Sequence, residues 1–258
     1  MKIGKRRKKN KKIKILAFFV VVIILVIIYK IGNDKNVQEE TVETFSSSNI
    51  VKENIIVVEK NPEINSKTSD WNLILVNKEN KIPENYNVEL SNIEYGHKVD
   101  NRIVDSTKKM LNDARKAGLQ PYICSSYRTS YKQEILFNKK VQQYKKIGYS
   151  IDNASIEASY WVAIPRASEH EIGLALDIVS KNFQVLDERQ ENTEVQKWLI
   201  ENCIYYGFIL RYPTNKKEIT KINYEPWHYR YVGIENAKFM KEKNFCLEEY
   251  IEYLKDYE

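Results

Sequence analysis

Only three histidines occur in these 258 residues, and two of them lie in short segments rich in carboxylates. One segment is Ser168-Glu169-His170-Glu171-Ile172-Gly173-Leu174-Ala175-Leu176-Asp177, and the other is Glu225-Pro226-Trp227-His228. Two imidazoles and one carboxylate are a common ligand set for a catalytic zinc with an open position, and a second carboxylate beside them can serve as general base. A fold that uses this set must bring two distant stretches of chain together.

Leu174, Leu176 and Ile178 fall on one face of a predicted strand, and Ala175, Asp177 and Val179 fall on the other. Gly173 lets the chain turn, so that His170 folds back toward Asp177. Taken alone, such a pair is as readily an Asp cap beside a surface histidine. In the second segment Pro226 holds Glu225 in an extended or turn conformation. Residues three apart on a regular strand face opposite sides, so a turn or bulge at Pro226 is needed to aim Glu225 and His228 into one cavity. The ordinary alternative, a core histidine beside a surface Glu, leaves the aromatic-rich surroundings unaccounted for. Arg128 is a third element: it follows a short strand and precedes a helix, where a guanidinium can pair with a carboxylate or stabilise an oxyanion. Gln133, in the first turn of that helix, can face the same cleft.

The remaining pattern is mixed. Leu73 to Val76 reads as a strand. Apolar spacing predicts a helix over residues 103–117, stopped by Gly118. Residues 121–124 read as a strand. Ser130 with Gln133 resembles a capping box for a helix over 131–144, and Thr193 with Gln196 caps another helix that ends before Gly207. Residues 224–232 read as partly extended, and the chain from Glu235 on as two helices joined around Asn244. Strands and helices do not alternate regularly, which favours α+β over a doubly wound sheet.

The N-terminus carries a different message. Lys and Arg dominate residues 1–14, and an apolar run from Ile15 to Tyr29 follows. The run is short of the roughly 20 residues that span a bilayer, but Ile13 and Ile31 extend it while Lys14 and Lys30 snorkel. A cleaved secretory signal is the alternative, yet no Ala-x-Ala-like site follows. The expectation is a basic cytoplasmic tail over 1–12, a transmembrane signal anchor over 13–31, an extracellular linker over 32–69 and a folded domain over 70–258 outside the cell membrane. The basic tail accounts for more than the whole net charge of +6, so the rest of the chain is slightly acidic and nucleic acid is not an expected partner. Cys124, Cys203 and Cys246 are widely spaced and include no CxxC pair, which excludes a cysteine zinc site and a disulfide-rich scaffold. Buried thiols are the expectation, with one bridge as the alternative. His97 reads as a surface or loop histidine.

Ser168-x-His170-x-x-Gly173-x-Ala175-x-Asp177, Glu225-x-x-His228 and Ser125-x-Tyr127-Arg128 together resemble the three signatures of zinc D-alanyl-D-alanine carboxypeptidases of the VanY-like type. The wider group includes L,D-carboxypeptidases, D-Ala-D-Ala dipeptidases and phage endolysin peptidases. The resemblance extends over about residues 70–252. It implies a small α+β domain with an antiparallel sheet floor, of the Hedgehog/DD-peptidase-like kind. It further implies one zinc held by His170, Asp177 and His228, with Glu225 as general base and acid. Arg128 would meet the substrate carbonyl or carboxylate, and Ser125, Gln133 and Ser168 would line the pocket. The implied substrate is a peptidoglycan stem peptide ending in D-Ala. L,D-carboxypeptidase or endopeptidase action on the same wall would use the same residues, and a wall-binding module without catalysis is the reading from another class. One departure stands out: relatives often have Pro-Gly before the Ser-x-His, where this chain has Pro165-Arg166.

Overall fold

The computed structural model describes residues 65–258. The expected tail, the expected anchor and nearly all of the expected linker lie outside the described residues. Among the described residues no helix is long and apolar enough to cross a membrane.

Strands β1 (Leu90–Asn92) and β2 (Lys98–Asp100) form a small antiparallel hairpin. Strands β3 (Pro121–Ser125), β4 (Ala175–Ser180), β5 (Phe208–Leu210) and β6 (His228–Tyr231) form a second sheet in the order β3-β4-β6-β5, antiparallel throughout. Around it lie α1 (Val104–Lys116), α2 (Ser130–Lys146), α3 (Ile151–Ser159), α4 (Glu194–Asn202), the single turn α5 (Lys217–Thr220), α6 (Ile234–Lys243) and α7 (Leu247–Lys255). The α+β reading holds.

β4 sits between two partners, and residues on both of its faces are buried. Leu176 and Ile178 join Ile123 of β3, Phe208 of β5 and Tyr229 of β6 in one apolar layer, covered by Met110 and Leu111 of α1 and Leu199 of α4. Burying each such aliphatic side chain contributes about 1.5–3 kcal/mol. α1 presents Thr107, Met110, Leu111 and Ala114 to this layer, the spacing of one helical face. A second layer packs Leu73, Ile209 and Val232 against α6 and α7 through Phe239, Met240, Leu247, Tyr250 and Leu254.

The opposite face of the sheet is polar by design of register. Asp177 pairs with His228 across β4 and β6, and with Ser125 across β3 and β4. β3 carries an irregularity between Ile123 and Ser125. Gly173, just before β4, adopts φ +73, and a Cβ there would lie 2.9 Å from the Asp100 backbone nitrogen. Only glycine fits this turn, which sets His170 back over the strand that carries Asp177.

Two local expectations need correction. Leu73 to Val76 is not a strand: Arg230 donates to the carbonyls of Asn72 (3.1 Å) and Ile74 (2.8 Å), so side-chain donors replace a ladder. The cap of α2 is Thr129, whose hydroxyl accepts from the Lys132 amide at 3.2 Å. Ser130 instead donates to Glu171, and Gln133 donates to the Ala163 carbonyl at 2.6 Å, so neither forms the expected box. Thr193 does cap α4, accepting from the Gln196 amide at 3.2 Å. The Gln196 side chain turns inward, to the Ile178 carbonyl and the Tyr229 hydroxyl.

Candidate metal and catalytic site

After the extended Ser168, a 3-10 turn over Glu169–Ile172 ends in the left-handed Gly173. This turn places His170 against the start of α2. The His170 carbonyl accepts from the Arg128 amide at 3.2 Å, which ties the Arg128 segment to the histidine. In the second segment a turn at Pro226–Trp227 is closed by the His228 amide donating to the Glu225 carbonyl at 3.1 Å. The expected turn at Pro226 therefore exists, and it brings Glu225 and His228 to one cavity.

Asp177 Oδ1 lies 3.3 Å from His170 Nε2 and 3.3 Å from His228 Nδ1. The two rings stand edge to face with centroids 5.0 Å apart. One donor atom from each of His170, Asp177 and His228 falls within 4.8 Å of the others, and all three residues are buried. Neither His170 Nε2 nor Asp177 Oδ1 makes a hydrogen bond. Unpartnered donor atoms this deeply buried are costly, and a cation among them removes that cost. Two imidazoles and a carboxylate suit zinc. The residues present therefore fit one zinc ion.

The other ring nitrogens are already engaged. His170 Nδ1 donates to the Ser126 carbonyl at 2.8 Å, which leaves the Nε2 lone pair for the metal. His228 does the reverse: Nε2 faces Glu169 Oε2 at 3.2 Å, and Nδ1 turns toward Asp177. Burial lowers His170 to about 4, with Arg128 adding to the effect, so the ring is neutral at pH 7. Burial also acts to lower His228, but Asp177 and Glu169 outweigh it and raise the ring to about 9.

Glu225 Oε2 lies 3.6 Å from His228 Nδ1. Burial pushes its carboxyl up to about 8, Asp177 adds to the rise, and His228, Arg128 and Lys140 oppose it. A carboxyl whose affinity for protons is raised toward neutrality is suited to taking and returning one. The adjoining cleft encloses about 310 Å³ and is lined by Arg128, Gln133, Ser168, Tyr212, Glu225 and Trp227 among others. Arg128 Nε and Gln133 Oε1 are buried without partners. Ser125 is the exception: it sits half-buried beside Asp177 at the end of β3 and is absent from the walls.

Four other residues went unread in the sequence. Tyr212 stacks obliquely on His228 with centroids 4.8 Å apart. Glu169, Arg211 and Arg230 form a buried ion cluster behind His228. A carboxylate adjacent to a ligand histidine was the one signal available. The cysteines are free, and Cys124 is half-buried with its thiol pushed up by burial, which disfavours a thiolate nucleophile. His97 is half-buried in the loop of the β1–β2 hairpin, its Nδ1 2.9 Å from the Ser126 hydroxyl. Arg166 adopts φ +65, a left-handed conformation that glycine would take without strain. Its amide donates to Glu171 at 2.9 Å, and its guanidinium to the Ile82 carbonyl at 2.7 Å.

The family model for VanY, D-alanyl-D-alanine carboxypeptidase, matches residues 96–234. The chain belongs to the VanY family. A D-alanyl-D-alanine carboxypeptidase of Enterococcus faecalis is 43% identical over 202 residues, covering 75% of this chain and 74% of that protein. The solved structure of VanYB in complex with D-alanine-D-alanine superposes with a TM-score of 0.67 at 45% identity, covering 71% of this chain and 98% of that one. A variant of the vancomycin resistance D,D-pentapeptidase VanY in complex with Zn(II) gives 0.65 at 44% identity, covering 70% and 99%. This chain and those VanY structures thus share one fold over most of the described residues.

Proposed function

We propose that this chain is a zinc D,D-carboxypeptidase that removes the terminal D-Ala from peptidoglycan stem peptides. The observation that carries this reading is the buried His170–Asp177–His228 set with two unpartnered donor atoms, opening on a cleft that Glu225 and Arg128 share. The VanY relatives support it by name and by the ligands that they hold.

His170, Asp177 and His228 would hold the zinc, which would supply Lewis acidity and lower the pKa of a water bound to it. Glu225 takes the proton from the attacking water and returns it to the amine of the departing D-Ala. The Arg128 guanidinium meets negative charge on the substrate, either at the carbonyl oxygen as it develops or at the terminal carboxylate. Gln133 and Ser168 border the cleft, where Gln133 Oε1 is free to accept from a substrate amide. Trp227 and Tyr212 supply apolar wall, which keeps bulk water from the reacting atoms.

The purified domain should therefore release one alanine from a pentapeptide stem ending in D-Ala-D-Ala and leave the tetrapeptide product intact. Mass spectrometry of the products checks this. Cleavage of the tetrapeptide alone would assign L,D-carboxypeptidase action in its place, and cleavage of cross-linked dimers alone would assign endopeptidase action.

The same proposal includes location. The basic cluster of residues 1–12 and the apolar run over 13–31 support a single-pass anchor with a cytoplasmic N-terminus and the catalytic domain outside, where the polymeric substrate is. Protease added to wall-stripped intact cells should degrade the domain. A domain protected until the membrane is opened would place it inside.

A further inference from the structure

Beside the metal ligands, four charges that the reaction does not touch lie buried, with Arg230 on the same face of β6 as His228. Glu169 and Arg230 are buried outright, as is Arg211, and Glu248 at the start of α7 is nearly so. Their bonds form one chain in which the arginines donate and the carboxylates accept. Glu248 accepts from Arg211 Nη1 at 2.8 Å and from Nη2 at 2.7 Å. Arg211 Nε donates to Glu169 Oε1 at 2.6 Å, and Arg230 Nη1 donates to the same oxygen at 2.8 Å. Arg230 is itself held by the Ile74 and Asn72 carbonyls. Glu169 Oε1 is thus claimed twice, and Oε2 faces His228 Nε2 at 3.2 Å.

Burying two arginines and two glutamates costs heavily in desolvation, and apolar packing of the same volume often stabilises a fold as well or better. The cluster gains no advantage as mere filling. What it does achieve is a carboxylate of fixed position and fixed charge behind one ring nitrogen. A metal-ligating histidine needs such an acceptor to hold its tautomer and ring orientation. His170 uses the Ser126 carbonyl for this, so the two histidines present opposite ring nitrogens to the metal.

We propose that Glu169, clamped by Arg211 and Arg230 and braced through Arg211 by Glu248, is a positioning residue that fixes His228 with Nδ1 toward the metal. The inference rests on the zinc site at His170, Asp177 and His228. It links the last helix of the domain to a metal ligand through Glu248, Arg211 and Glu169.

Glu169→Gln is the sharpest variant. The two arginines claim the amide oxygen, so the amide NH2 is left facing His228 Nε2. That group donates rather than accepts, and it drives the ring proton onto Nδ1, the ligand nitrogen. The expected result is a ~10–100-fold weaker zinc affinity, read by chelator competition. Nitrogen-15 NMR of the zinc-loaded protein should show the His228 Nε2 proton lost or rapidly exchanging in the variant, with the His170 Nδ1 proton unchanged. A purely structural role would shift both histidines or neither. Glu248→Gln keeps an acceptor for Arg211 while removing its charge, and should weaken zinc in the same direction by a smaller factor. Wild-type zinc affinity in both folded variants overturns the proposal. Should Glu169→Gln fail to fold, the unaltered protein still decides: its zinc form must show a slowly exchanging proton on His228 Nε2, and a proton on Nδ1 overturns the assignment. Failure of the unaltered protein to bind one zinc would instead overturn the site reading beneath it, so the two failures are told apart.

Discussion

Glu225→Ala is expected to abolish hydrolysis while zinc stays bound. The carboxylate is buried at the cleft, with Oε2 3.6 Å from His228 Nδ1, and it stands outside the set whose donor atoms converge within 4.8 Å. Its removal leaves the three ligands and their supporting bonds in place. What disappears is the group that moves a proton from water to the departing amine, and general acid–base catalysis of this kind is worth about 10²–10⁴-fold. The fold should not suffer, because burial dominates at this carboxyl and raises its proton affinity to about 8, so its ionised form opposes folding rather than supporting it. Glu225→Gln should behave in the same way, which separates the loss of the base from the space left by alanine. Turnover of the pentapeptide, measured with metal content on the same samples, checks the assignment. Near-normal turnover at unchanged metal content would defeat the role given to Glu225.

His228→Ala should remove zinc and activity together. The substitution deletes the Nδ1 donor, and it strips Asp177 of one of its two imidazole neighbours. Two remaining protein ligands are too few for a stable catalytic zinc. Loss of the Lewis acid forfeits several kcal/mol of transition-state stabilisation, or at least about 10³-fold in rate. The ring also packs on Tyr212 and on His170, so some thermal stability goes with it. Circular dichroism should still report a folded domain, because the apolar layer beneath the sheet does not include this side chain. Full zinc stoichiometry in the folded variant would strike His228 from the ligand set.

These two predictions differ because of one turn. Pro226 and Trp227 reverse the chain between the two side chains, so one residue becomes a ligand and the other stands free to take a proton. The need for that reversal was legible in the sequence, since a straight strand would have put Glu225 and His228 on opposite faces. The Gly173 turn was legible for a similar reason. Its φ of +73 is a local steric requirement that only glycine meets without strain. The left-handed backbone of Arg166 was not legible in this way; its guanidinium bonds the Ile82 carbonyl.

Other errors came from competition between near neighbours. Ser130 and Gln133 had the residue types of a capping box, yet each found a stronger partner from another part of the chain. Thr129 took the cap, its hydroxyl accepting from the Lys132 amide. Leu73 to Val76 had the apolar run of a strand, but the carbonyls around it were taken by Arg230.

By itself the sequence determined what acts over a few residues. That includes the alternation of β4, the apolar face of α1, the turns at Gly173 and Pro226, and the residues proposed as donors and base in the two histidine segments. Period and backbone sterics set all of these, and both are local. Only the tertiary structure decided which ring nitrogen each histidine turns toward Asp177, and that Glu169, Arg211, Arg230 and Glu248 form one buried chain of charges. A charged side chain has no preferred partner in sequence, because its energy depends on what the rest of the fold packs around it and on how far water is excluded.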